Sequence, residues 1–214
     1  MSVQVWSNVA IAVQSALSNS QTISGITKAN PAVATYVGSD PSNGDFIKIT
    51  ATGMTEVDGR IFRVANVNSG GNTLELEGLD SAAFSTFLTG SMEIITFGTS
   101  LTVATSVSAS GGDPSYIDVT TIHDTIQKQI PGNSSATTFS MDCQWQPDDA
   151  GLIALKTAAD TKALRAIKIT FANGYKYVVT GYVSCTLSPT GSAQQVVTTP
   201  VSFTAYGRPT SYAS

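Results

Sequence analysis

The sequence predicts a mainly β fold of the α+β class: a β-sandwich or barrel-forming domain with one packed α-helix, plus a small inserted β module. Three observations carry that expectation. Short β-branched and aromatic runs, separated by Gly, Asn, Ser and Pro, recur along most of the chain. Several of these runs alternate apolar and polar residues with the period of a half-buried strand. One stretch, Asp148 to Ala159, carries the wider spacing of an amphipathic helix.

Taken in order, Val3–Trp6 and Val9–Val13 read as a strand pair or one long strand. Asp45–Thr50, Ile61–Ala65 and Asn72–Glu77 alternate, with Leu74 and Leu76 facing one way and Glu75 and Glu77 the other. Turn residues such as Asp58-Gly59 and Ser69-Gly70-Gly71-Asn72 separate them. Residues 23–95 therefore read as a compact β module, inserted into a discontinuous domain of residues 1–22 and 96–214. A strand is expected near Phe97–Ser106, then a loop over Ser108–Pro114. Ile117–Ile122 follows as a short strand, and His123–Thr138 as a long polar loop. Loops of that length are usually functional or flexible.

The last third has the clearest patterning. Phe139, Met141, Cys143 and Trp145 alternate against Ser140, Asp142, Gln144 and Gln146. Pro147-Asp148-Asp149 then opens the helix, since Pro and acidic residues suit a first turn. Leu152, Ile153, Leu155, Ala158 and Ala159 form its apolar stripe. Ile167, Ile169 and Phe171 lead to Asn173-Gly174, read as a two-residue primed hairpin turn. The return strand carries Tyr175, Tyr177, Val179, Gly181 and Val183. In the final strand Val197, Val201, Phe203 and Ala205 point inward, and Thr198, Ser202 and Thr204 outward.

The 214 residues suffice for one or two domains. Charged residues make up 12%, about half the usual share, which suits a surface covered by partners. No stretch has the roughly 20 mainly apolar residues of a membrane-spanning helix. The opening also lacks the early basic residues of a secretory signal. A net charge of −4 argues against a surface that grips nucleic-acid phosphates. Cys143 and Cys185 lie in apolar-patterned stretches and read as buried, reduced thiols. The one histidine, His123, falls in a predicted loop, where no packing would hold it for catalysis. No phosphate-cradling glycine motif and no zinc-ligand spacing occur. Neither an enzyme nor a cofactor is expected.

From Ile117 onward the chain resembles a major tail tube protein of the lambda type, from phages with long, non-contractile tails. The resemblance rests on an ordered set of elements covering about half of the chain. Ile117-Asp118-Val119-Thr120 precedes a long segment with Ile130-Pro131-Gly132; Phe139–Trp145, Pro147 and a short Ala/Leu helix follow. Ile167–Gly174, Gly181-Tyr182-Val183-Ser184 and the closing Gly207-Arg208-Pro209 complete it. Residues 23–95, with Asn30-Pro31-Ala32-Val33, Gly53-Met54-Thr55 and Gly59-Arg60-Ile61-Phe62, resemble a small β module named after ubiquitin-activating enzymes. It has no cysteine, so none of that chemistry transfers. Lambda-type proteins carry their extra domain after the tube domain, so the inserted position is a departure.

The resemblance implies a non-enzymatic homo-oligomer, with usually hexameric rings stacking into the channel that delivers viral DNA. Tape measure, tail terminator and tip proteins are its implied partners, and the virion tail its location after synthesis in the host bacterial cytoplasm. The candidate channel lining is the polar face of Ser140, Asp142, Gln144, Thr198, Ser202 and Thr204. The candidate ring-stacking loop contains His123, Asp124, Ile126, Ile130, Pro131 and Gly132, with Ile126, Ile130 and Pro131 as apolar contacts. The alternative class is a tail-tip or fibre adhesin binding a host surface glycan. It would show clustered aromatics on long loops, where this sequence offers only Tyr116 at an edge.

Overall fold

A computed structural model describes residues 6–213. The strand expected at Val3–Val5 lies outside the described residues. Strand β1 (Ala10–Val13) opens a sheet that the chain leaves at once. It builds β2 (Ala16–Leu17), β3 (Gln21–Ile26), β4 (Ala32–Val37), β5 (Phe46–Thr52), β6 (Ile61–Asn68), β7 (Thr73–Leu76) and β8 (Thr89–Thr96). These pair in the order β2-β8-β3-β4-β7-β6-β5, and a further β8–β5 pairing closes six of them into an antiparallel barrel. The alternation in the sequence explains the inside. Ile23, Ile47, Ile49, Leu74, Leu76 and Met92 are fully buried, with Tyr36 and Phe62 filling most of the remaining space.

The chain then returns beside β1. Strand β9 (Thr99–Leu101) pairs with it, and β10 (Ala104–Ser110) follows after two residues. Strands β11 (Pro114–Asp118) and β12 (Gln129–Ser134) pair, among the described residues, only with each other. Next come β13 (Thr138–Gln144), α1 (Ala150–Asp160), β14 (Arg165–Thr170), β15 (Lys176–Cys185), β16 (Thr198–Ala205) and β17 (Thr210–Tyr212). The main sheet has the order β10-β13-β16-β15-β14-β1-β9, with β17 on the outer part of β15. Its two end strands, β9 and β10, are consecutive in sequence. Only Thr102 and Val103 join them, and Gln144 N–H donates to Val103 O at 2.8 Å. That short link makes the sheet curl, and the concave side becomes a core of Ile11, Val13, Phe139, Met141, Ile167, Val201 and Phe203.

Helix α1 covers this core with Leu152, Leu155 and Ala158, all buried. Its first turn differs from the sequence expectation. Pro147 and Asp148 precede the helix, and Asp149 is its N-cap, accepting from Leu152 N–H at 2.9 Å and from Thr102 Oγ at 2.9 Å. Ile153, expected in the apolar stripe, is 46% exposed because it falls on the far side of the Leu152–Leu155 line.

Other local expectations are corrected as well. The loop expected over Ser108–Pro114 is mostly strand, interrupted only at Gly111–Asp113. The short strand read at Ile117–Ile122 runs from Pro114 to Asp118. His123–Thr138 is not one long loop: residues 123–128 close a hairpin and Gln129–Ser134 is its return strand. The Asn173-Gly174 turn is not primed, because of the loop residues only Gly174 has positive φ, 88°. Phe171 N–H donates to Tyr175 O, giving a three-residue loop with glycine in the left-handed position. Tyr175, expected in the return strand, is 49% exposed, and Val197, expected to point inward, is 43% exposed, because both precede their strands. Trp145 also lies past its strand and leaves the core, its indole N–H donating to Leu187 O at 2.8 Å.

The barrel is bound to the convex face of the sheet. Phe46, Ile61 and Ile95 of the barrel bury against Ala166, Val178 and Tyr212 of the sheet. Large side chains in such a seam contribute about 1.5–3 kcal/mol each. Thr180 Oγ donates to Gly59 O at 2.8 Å and Thr210 Oγ to Ile61 O at 2.9 Å across it. The Lys168 ammonium lies 4.7 Å from the Phe97 ring centre and 5.6 Å from that of Phe46. Burial holds its pKa below the usual lysine value.

Gly151 lets α1 approach β9 closely: a Cβ there would stand 2.7 Å from Leu101 Cα and 2.8 Å from Ser100 O. Gly→Ala within a helix normally stabilises by up to about 1 kcal/mol. Gly151→Ala should instead destabilise by about 1–3 kcal/mol through overpacking, read as a lower urea midpoint at unchanged slope.

Candidate functional site

The six candidate lining residues come together on one face of two paired strands. Register sets Ser140 opposite Ser202, Gln144 opposite Thr198, and Thr204 opposite Thr138, while Asp142 faces Pro200. Ser140, Asp142 and Thr204 are exposed, and Gln144, Thr198 and Ser202 are half-buried. Their neighbours Phe139, Met141, Cys143, Thr199, Val201 and Phe203 point into the core, so the strand period itself separates the two faces. Burial pushes the Cys143 thiol up to about 11, and both cysteines are free and buried.

The structure enlarges this face beyond the expected residues. On β10, Ser106 pairs with Asp142, Ser108 with Ser140, and Ser110 with Thr138. On β15, Tyr182 pairs with Thr204 and Ser184 with Ser202. The hydroxyls bond locally: Ser106 Oγ donates to Asp142 Oδ2 at 2.9 Å, and Thr105 Oγ to Asp142 O at 2.9 Å. Asp142 is the only charged residue in β10, β13 and β16, and none of the three carries Lys or Arg. An exposed aromatic pair, Tyr182 and Tyr206, bounds the face, with ring centres 6.1 Å apart. The serines of β10 were legible only as alternation with Val107 and Ala109, hidden by the low strand propensity of Ser and Ala.

The stacking-loop candidates lie on the β11–β12 hairpin, which projects from the sheet as an arm. His123, Asp124 and Ile126 belong to its tip, and Ile130, Pro131 and Gly132 to β12. Ile117 pairs with Ile130 and Tyr116 with Pro131, so the isoleucines share one face and Pro131 lies on the other. Ile126 is 76% exposed and Ile130 49%. Side chains order the tip. Asp124 accepts from Thr121 N–H and Oγ at 2.9 Å and pairs with Lys128; Asp118 accepts from Thr120 N–H and Gln127 Nε2.

Among the described residues, no group of three or more His, Cys, Asp or Glu could hold a metal ion. No described helix is long and apolar enough to cross a membrane. The chain belongs to the phage tail tube protein family, whose model matches residues 52–214. It is therefore a structural component of the virion tail, not an enzyme, and the family points to self-assembly into a tube. No curated protein matches the chain.

The tip carboxyls give a pH prediction. Hydrogen bonds hold both below the ordinary carboxylate range: Asp124 chiefly from Lys128, Asp118 chiefly from Thr120. A depressed folded-state pKa means order that is complete above the free carboxyl value, about 3.9, and lost as pH falls through the folded value. Amide exchange at Thr120 and Thr121, corrected for intrinsic rates, should be flat from neutral pH to about 5 and accelerate below about 4.

Proposed function

We propose that this chain closes with copies of itself into hexameric rings, and that the rings stack into the tube through which viral DNA enters the host cell. The observation that carries this reading is the hydroxyl-rich face of β10, β13 and β16. A DNA channel should be polar without being basic, because inward Lys or Arg would hold phosphates and stall passage. Ser140, Asp142, Gln144, Thr198, Ser202 and Thr204 line the channel on this reading, joined by Ser106 and Ser108. Residues 1–22 and 96–214 then form the tube domain. Residues 23–95 form an inserted module, of the kind named after ubiquitin-activating enzymes, that decorates the outside of the tube. Its seat on β14, β15 and β17 supports that side, because the curl turns those strands away from β10 and β13.

The arm reaches toward the adjacent ring, with Ile126 and Ile130 as apolar contacts. A tape measure protein within the growing tube and terminator and tip proteins at its ends complete the assembly, built in the bacterial cytoplasm. Electron microscopy of the purified protein across a concentration series should show rings or tubes with an open centre; six-fold averages fit the reading and a persistent monomer opposes it. Asp142→Lys combined with Gln144→Lys should leave tubes intact and lower DNA delivery at least about tenfold. Normal delivery from such tubes would remove the lining assignment.

A further inference from the structure

The arm and one edge of the main sheet fit each other in a way that a single chain cannot use. Among the described residues, six of the sixteen large apolar side chains that are exposed lie between Tyr116 and Ile130. Ile122 is 96% exposed and Ile126 76%, while Ile117, Val119 and Ile130 are 41–53% exposed. β11 and β12 pair with nothing else among the described residues, and a lone two-stranded ribbon is marginal in water. Its apolar face therefore needs a partner.

A receptive surface lies at the other end of the same edge. Between the start of β1 and the unpaired side of β10 is an open groove of about 680 Å³. Trp6, Val9, Ile11, Leu101, Ala104 and Val107 supply its apolar wall, and no charged residue among the described ones lines it. Beside it, β10 presents backbone N–H and C=O groups that pair with no strand among the described residues, since β13 occupies its other side.

The chain cannot fill this groove with its own arm. The groove takes in the first half of β10, Ala104–Val107, whereas the arm continues from the far end of β10 beyond Ser110. The bases of the hairpin are fixed by the β10–β13 and β13–β16 pairings, which hold the arm pointing away. Arm and groove are thus complementary surfaces at opposite ends of one strand. Contacts of that kind are heterologous and propagate from copy to copy instead of closing a pair.

We infer that the tip and isoleucine face of the arm of one subunit dock in the β1–β10 groove of a second copy of this chain. This rests on the tube reading above and supplies the arm with its receptor. Each docked copy offers a free groove or a free arm, so the contact repeats along the tube.

Cysteine cross-linking of assembled protein tests it. Ser100→Cys places a thiol in the groove and Ile126→Cys one at the arm tip, while the native thiols of Cys143 and Cys185 stay buried. Under mild oxidation, tubes of the double variant should give a ladder of multimers on a non-reducing gel. Tubes of either single variant should give none, and mixed tubes of the two single variants should stop at dimers. Tubes that form with reactive thiols but without the ladder would overturn the docking and leave the tube reading standing. If the double variant does not assemble, hydrogen exchange on the wild type decides. Slowing on assembly at both residues 100–107 and 117–130 supports the inference; slowing at the arm alone, or at neither, refutes it. A wild type that never assembles removes the tube reading and the docking together.

Discussion

Backbone pairing governs this molecule more than any single side chain. A strand edge left without partners must be closed, covered or given to another chain. The chain uses closure where it can: β8 meets both β3 and β5, and the small barrel has a continuous hydrogen-bonded wall. The main sheet stops short. Its end strands are tied by two residues, yet β10 and the front of β1 stay apart, and the gap is the open groove beside them. The polar face on β10 and β13, the arm that prolongs them and the groove all lie at that unclosed edge.

The strongest sequence signal was period-two alternation, and it was reliable where a strand has one wet and one dry face. Phe139 to Cys143 and Leu74 to Leu76 fall as their alternation demands. It also placed the lining candidates on one face, because strand parity survives any choice of partner. The arm was harder to see. Gln129–Ser134 contains Pro, Gly, Asn and Ser, all poor strand formers, and nothing but its partner β11 holds it extended. The same blindness covered β10, whose serines and alanines carry little propensity.

The seam between barrel and sheet was not legible at all. Val178 and Ala166 lie between the core-facing residues of β15 and β14, on the opposite face. The structure buries both faces, because the barrel covers the side that solvent would otherwise have. Thr180 shows the chemistry of that surface: a buried hydroxyl satisfied by Gly59 O, from another part of the chain. Pairing of this kind depends on residues more than a hundred positions apart, which no local pattern reports. The family match, starting at residue 52, likewise runs through barrel strands and sheet strands alike.

One arrangement has a bearing on how such a protein can be rebuilt. β1 and β9 are hydrogen-bonded neighbours, with Val13 opposite Thr99, and Ser15 N–H donates to Thr96 O just beyond them. The entire barrel therefore occupies the place of a hairpin turn: the chain exits and re-enters the sheet at one point. Such a joint works as a socket. A cargo domain whose termini lie side by side could be plugged in between Val13 and Thr99 without asking any other strand to move. The one requirement is that it cover Ala166, Val178 and Tyr212, or that those three be made polar.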